Sequence, residues 1–212
     1  EIAHPSAHCR LNRAALSSGD LTRGRITNSS QTIYKVDICI VTNQHKPLSG
    51  FVAKLTAMRG PGDTLDVYEE WASSYEGDLL TEYGYVAPRI AVDAFLEACA
   101  ERDTRIIDFG CGTGLVGVEL AERGYRGVDG IDISPAMLEQ AKAKSVYREL
   151  IEQDLSTVTT LDDSSYGAAI AVGCFGSGHL GPEHLGELIR PVSENGIIVL
   201  YINAIPYLED DY

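Results

Sequence analysis

Three acids each follow a short apolar run in the middle of this sequence. They are Asp108 in Ile106-Ile107-Asp108-Phe109, Asp132 in Gly130-Ile131-Asp132-Ile133, and Asp154 in Gln153-Asp154-Leu155. A glycine-rich loop, Gly110-Cys111-Gly112-Thr113-Gly114, directly follows the first. Glycines let a backbone turn sharply and approach a ligand with no Cβ in the way. A carboxylate accepts hydrogen bonds from sugar hydroxyls and amines and favours a nearby cation. Each acid alone has an ordinary explanation: Asp132 as a helix cap, Asp154 as a surface turn residue. Together, with the glycine loop and at the ends of successive apolar runs, they are hard to explain as accident and point to a bound cofactor.

A dinucleotide site is the rival reading. Gly112-Thr113-Gly114-Leu115-Val116-Gly117 matches GxGxxG, and Asp132 lies 20 residues after Gly112. Against it, Asp108 puts negative charge where a pyrophosphate would bring more, and Gly110 extends the pattern to GxGxG.

The elements that must position these residues alternate. Strands are expected at 105–109, 127–133, 147–152, 168–173 and 196–203. Helices are expected at 114–123, 134–144 and 182–189, the second opened by Ser134-Pro135. Upstream, Leu65, Tyr68, Trp71, Ala72 and Tyr75 follow helical spacing, and Pro88 opens a helix through Cys99. Alternating β and α segments with apolar strands imply an α/β fold with a doubly wound, mainly parallel sheet. Arg59-Gly60-Pro61-Gly62-Asp63 is a strong break. It divides a leader, 1–63, with one candidate strand at Ile33–Val41, from a domain at 64–212.

The segment 106–114 closely resembles the first motif of the class I S-adenosylmethionine-dependent methyltransferases, a Rossmann-like fold. The resemblance implies S-adenosylmethionine as cofactor. Asp108, Gly110, Cys111, Gly112 and Gly114 would then lie at its amino-acid end, with Asp108 holding the ammonium. Asp132 would hold the ribose, and Ile133 and Met137 would flank the adenine. Gln153, Asp154 and Leu155 would contact the base, and Gly173 would lie near the transferred methyl. Tyr68-Glu69-Glu70-Trp71-Ala72-Ser73-Ser74-Tyr75-Glu76 is similar to a stretch in small methyltransferase-like proteins, those of the Williams–Beuren syndrome region and their invertebrate relatives. There a tyrosine-rich helix covers the cofactor, which implies contact by Tyr75 and a lid role for Tyr68.

The sequence departs from the family twice. Tyr166-Gly167 stands where Tyr-Asp is common, and the chain ends at Tyr212 without the last two strands. An exposed sheet edge is therefore expected beside the strand at 196–203. Gly173-Cys174-Phe175-Gly176 stands in place of the D/N-P-P-Y clamp of enzymes that methylate nucleic-acid amino groups. His179, just beyond, is a candidate base or acceptor contact; the sequence leaves the catalytic group open.

Charge narrows the partners. Residues 1–63 carry eight Lys/Arg and four Asp/Glu, while 64–212 carry nine and 27, within a net charge of −14. Such a domain gains nothing from phosphate contacts, so a small-molecule or protein acceptor is expected rather than nucleic acid. No run of apolar residues suits a membrane span. Five widely spaced Cys without CxxC suggest reduced thiols and a cytoplasmic setting, with a nuclear one as the alternative and a mitochondrial one less favoured, and no metal site. A cofactor-binding module without catalysis and a nicotinamide-dependent oxidoreductase are the competing functions.

Overall fold

The computed structural model describes residues 35–41, 61–82, 84–99, 101–175 and 179–203. The rest of the expected leader and the C-terminal tail lie outside these residues. Strands are β1 (Lys35–Val41), β2 (Ile106–Phe109), β3 (Val128–Asp132), β4 (Glu149–Glu152), β5 (Tyr166–Val172) and β6 (Val192–Asn203). Helices are α1 (Pro61–Trp71), α2 (Ala87–Ala98), α3 (Leu115–Glu122), α4 (Pro135–Ala143) and α5 (Leu185–Ile189). A helical turn, Tyr75–Gly77, runs into a π-helix, Asp78–Glu82, between α1 and α2.

The strands form one six-stranded sheet in the order β1-β6-β5-β2-β3-β4, every neighbouring pair parallel. Chain order reverses between β2 and β5, and in such sheets the crevice at the strands' carboxyl ends holds ligands. Alternate residues of each strand feed two cores. Ile106, Ala168, Ile170 and Val199 face α2 and α3, where Ala91, Phe95, Val116 and Leu120 pack. Ile107, Phe109, Ile131, Ala169 and Ile198 face the other side with Leu155, Leu161, Phe175 and Leu188. Burial on both faces explains why the strands read as apolar runs rather than alternating ones.

The structure differs from the sequence reading in four places. The break at 59–63 becomes the start of α1, because Pro61 suits a first helical turn. The candidate strand near 33–41 joins the sheet: β1 pairs with β6, from Lys35↔Ile197 to Val41↔Asn203. The β6 edge expected to lie open is therefore covered by a strand from the segment taken as leader. Strand β4 begins at Glu149, and Tyr147 turns inward instead. Strand β6 begins at Val192, and its pairing with β5 slips between Tyr166 and Ala168, with Asn195 at φ 63°.

At the amino end of β3, Asp129 is fully buried. It takes two hydrogen bonds from the Arg148 guanidinium (2.9 and 2.6 Å), one from Arg105 (3.2 Å) and one from the Tyr166 hydroxyl (3.0 Å). Burial alone would raise its pKa, but these donors hold it below the ordinary value. Gly167 packs on Thr104, where a Cβ would stand 2.9 Å from the threonine methyl. That close approach accounts for glycine where the family commonly has Asp. Asp129→Ala leaves the tyrosine hydroxyl unpartnered and should lower unfolding free energy by about 2 kcal/mol in urea titrations. Ligand affinity should be unchanged, because Asp129 lies at the end of the sheet away from the crevice.

Candidate active site

The glycine loop is tied to the tip of β3 by its own amides. Gly110 N and Cys111 N donate to Ile131 O (2.9 and 3.1 Å), and Gly112 N donates to Asp132 Oδ2 (2.8 Å). Gly110 has φ 68°, and a Cβ there would stand 2.5 Å from the Cys174 Cβ. Only glycine therefore lets the tips of β2 and β5 close at the switch point. Asp132 Oδ1 accepts from Ser134 N at 2.9 Å. The cap of α4 is Ser134 itself, whose Oγ accepts from Met137 N at 3.2 Å.

Asp108 is buried at the end of β2, just 1% exposed. Its Oδ2 accepts from the Tyr147 hydroxyl at 2.6 Å, and its Oδ1 has no partner among the described residues. Tyr147 is held in turn by Gly117 N, which donates to its oxygen at 3.1 Å. A Cβ at 117 would run into the Tyr147 ring, which explains the last glycine of the apparent GxGxxG without any dinucleotide. Burial chiefly, with Asp132 adding to it, raises the Asp108 pKa to about 7 against the pull of the Tyr147 hydrogen bond. Asp132 is also raised by burial, while the amides of Ser134, Gly112 and Ile133 pull it down. Two neighbouring carboxylates, Asp108 buried and Asp132 half-buried, make a place for a cation.

The crevice above these acids is a cleft of about 780 Å³, open mouth included. Of the residues expected to bind cofactor, Tyr75, Gly110, Gly112, Asp132, Ile133, Met137, Asp154, Leu155 and Gly173 line it. A smaller cleft of about 300 Å³ shares Tyr75, Gly110 and Gly112 with it and adds Cys111, Thr113 and Tyr85. Asp108 lies beneath the loop. Gly114, at φ 94°, begins α3 and packs on Tyr147 and Ala141 instead of lining either cleft. The Gln153 side chain is turned to its own loop, donating to Val158 O and accepting from Thr160. Asp154 Oδ1 accepts from Ser156 N at 2.8 Å, an Asx turn at the rim of the cleft.

Helix α1 roofs the cleft with Leu65 and Tyr68. Three contacts hold the roof. Glu69 Oε1 accepts from Ser134 Oγ (2.6 Å) and Ala136 N (3.3 Å), at the positive end of α4. Lys144 Nζ bridges Glu76 (2.5 Å) and Thr113 O (2.6 Å). The Tyr68 hydroxyl meets His179 Nε2 at 2.8 Å. Trp71, 1% exposed, packs between Tyr68 and Tyr75 and donates to Asp78, a structural role. The sequence reading named no function for Glu69, Lys144 or Tyr147. Their partners are 65, 68 and 39 residues away, and no local pattern marks them. Cys174 and Leu180 also line the cleft.

A doubly wound parallel sheet whose strand tips gather a glycine loop and three acids defines a Rossmann-like, class I methyltransferase fold. Residues 106–196 match the methyltransferase domain family. The chain is homologous to human methyltransferase-like protein 27, with 34% identity over 142 residues, 64% of this chain and 58% of that protein. It is 37% identical over 67 residues to a yeast 18S rRNA (guanine(1575)-N(7))-methyltransferase, covering 32% of this chain and 24% of that protein. A crystal structure from Methanococcus maripaludis, assigned to the S-adenosylmethionine-dependent methyltransferases, is 15% identical with a TM-score of 0.49, over 75% of this chain and 68% of that one. The chain thus spans little more than half of the first of these relatives and about a quarter of the second. The match gives the nicotinamide reading no support.

The two acids set a pH dependence. Asp108 binds its proton more tightly folded than unfolded. The ligand-free fold therefore takes up a proton between about pH 4 and 7 and loses stability as pH rises through that window. A cationic ligand needs Asp108 ionised, so affinity should fall as pH drops through about 7. Calorimetric titration with S-adenosylhomocysteine should show binding about tenfold weaker at pH 6 than at pH 8. Asp108→Asn should bind weakly at both. A wild-type affinity flat across this range would contradict the assignment.

Proposed function

We propose that this chain binds S-adenosylmethionine across the tips of β2, β3, β4 and β5 and transfers its methyl group to a small-molecule or protein acceptor. The observation that carries this reading is the Asp108 carboxylate, buried with one oxygen unpartnered beneath the glycine loop. That oxygen suits the cofactor's ammonium, and the raised proton affinity of both acids suits a ligand that brings positive charge. Asp132 would hold the ribose and Asp154 the adenine amine. Ile133, Met137 and Leu155 give the cleft apolar walls for a purine.

When bound, the cofactor supplies an electrophilic methyl group on sulfur. The protein's own residues do the rest. Asp108, fixed by Tyr147, orients the amino-acid end. The Asp132 oxygens, aligned by the amides of Gly112 and Ser134, fix the sugar. Helix α1 excludes water, which strengthens every charge interaction under it. We further infer kinship with the methyltransferase-like proteins of the Williams–Beuren syndrome region, on the segment 68–76, and a cytoplasmic setting. Cys99, Cys111 and Cys174 are free thiols, in keeping with a reducing compartment.

Titration with S-adenosylhomocysteine and with NAD tests the reading. Micromolar binding of the first and none of the second is expected. Asp132→Ala should weaken binding by roughly 10- to 100-fold, the effect of losing hydrogen bonds to a charged acceptor. Tritiated methyl from the cofactor should enter a component of cell extract. Binding of NAD in preference to S-adenosylhomocysteine would overturn the reading.

A further inference from the structure

We propose that the acceptor is an amine, bound by tyrosine rings beyond the tip of β5; this rests on the methyltransferase reading above. The region next to Gly173 is walled by aromatic side chains. Tyr68, Tyr75 and His179 line the larger cleft, and Tyr85 lines the smaller one that adjoins it. The Tyr85 hydroxyl reaches to 3.2 Å from where a Cβ on Gly173 would stand, so it borders the switch point itself. The Tyr68 and Tyr75 ring centres lie 6.1 Å apart at 59°, and Tyr68 and His179 lie 5.9 Å apart at 58°. Tilted rings form the sides of a pocket rather than a flat stack.

Charge decides what such a pocket accepts. Neither cleft is lined by Lys or Arg among the described residues. The stretch from Gly173 to Gly181 contains neither residue. Lys144, which reaches the loop at Thr113 O, is already bound to Glu76. Asp132 lines the cleft and Asp108 lies under it. A carboxylate or phosphate acceptor would be desolvated with no positive side chain among the described residues to offset a cost of several kcal/mol. An ammonium gains the opposite: ring faces that attract cations. Burial holds Tyr68, Tyr75 and Tyr85 well above the ordinary phenol pKa, so they present neutral hydroxyls and intact ring faces.

The transfer balances without an anionic nucleophile. The ammonium first gives a proton to solvent. The nitrogen lone pair then forms the N–C bond as the C–S pair passes to sulfur. Positive charge moves from sulfur to nitrogen, so a pocket suited to cations suits both sides of the reaction.

Binding to the protein saturated with S-adenosylhomocysteine tests this without any turnover. The probes are 2-phenylethylamine, 3-phenylpropionate as its acidic counterpart, and Nα-acetyl-lysine amide. At least one amine should bind tenfold or more tightly than the acid. Preference for the aryl amine assigns a free small molecule; preference for the lysine amide assigns a protein side chain. Tyr85→Leu should weaken amine binding about fivefold, the size of one cation–π contact. Its S-adenosylhomocysteine affinity, measured on the same sample, separates loss of this pocket from loss of the fold. Equal or tighter binding of the acid, or no binding of either amine, overturns the proposal. Failure of S-adenosylhomocysteine itself to bind would instead overturn the methyltransferase reading.

Discussion

Two carboxylates at adjoining strand ends, Asp108 buried and Asp132 half-buried, constrain everything around the crevice. Removing a charge from water costs several kcal/mol unless donors or a counter-ion replace the lost hydration. The fold supplies part of that replacement: Tyr147 for Asp108, and the amides of Gly112 and Ser134 for Asp132. It leaves one Asp108 oxygen without any among the described residues. The glycine loop, the inward turn of Tyr147 and the roof formed by α1 are the arrangements that keep this deficit in place. A ligand that brings positive charge removes it, so the free protein gives up stability that binding restores.

The same sheet shows the opposite solution at its other end. Asp129 is as deeply buried as Asp108 but is surrounded by Arg105, Arg148 and Tyr166. Its proton affinity is lowered, where that of Asp108 is raised. One acid holds strands together, and the other is reserved. Two acids of similar burial thus differ in role because one has a full set of donors and the other does not.

The roof depends on long-range polar contacts more than on its own helix. Glu69 at the start of α4 and Lys144 near its end grip α1 and the turn after it. These contacts set how tightly the cleft is covered. The aromatic cluster of Tyr68, Trp71 and Tyr75 serves both jobs: Trp71 packs and its neighbours face the cleft.

Much of this was legible from residue order, for a physical reason. Strand and helix periodicity, the Ser134-Pro135 cap and the glycine loop are local features, encoded by neighbours a few residues apart. They determined the doubly wound sheet and put Asp108, Asp132 and Asp154 at its strand ends. Tertiary structure alone decided that β1 pairs with β6, since an apolar run does not name its partner. It decided that Tyr147 turns in to Asp108 and that Gly117 serves that tyrosine rather than a pyrophosphate. It decided that Gln153 braces its own loop while Tyr85 and Cys174 border the clefts. Hydrogen bonds and burial between residues far apart in sequence depend on how elements pack, and packing is fixed only when the whole chain has folded.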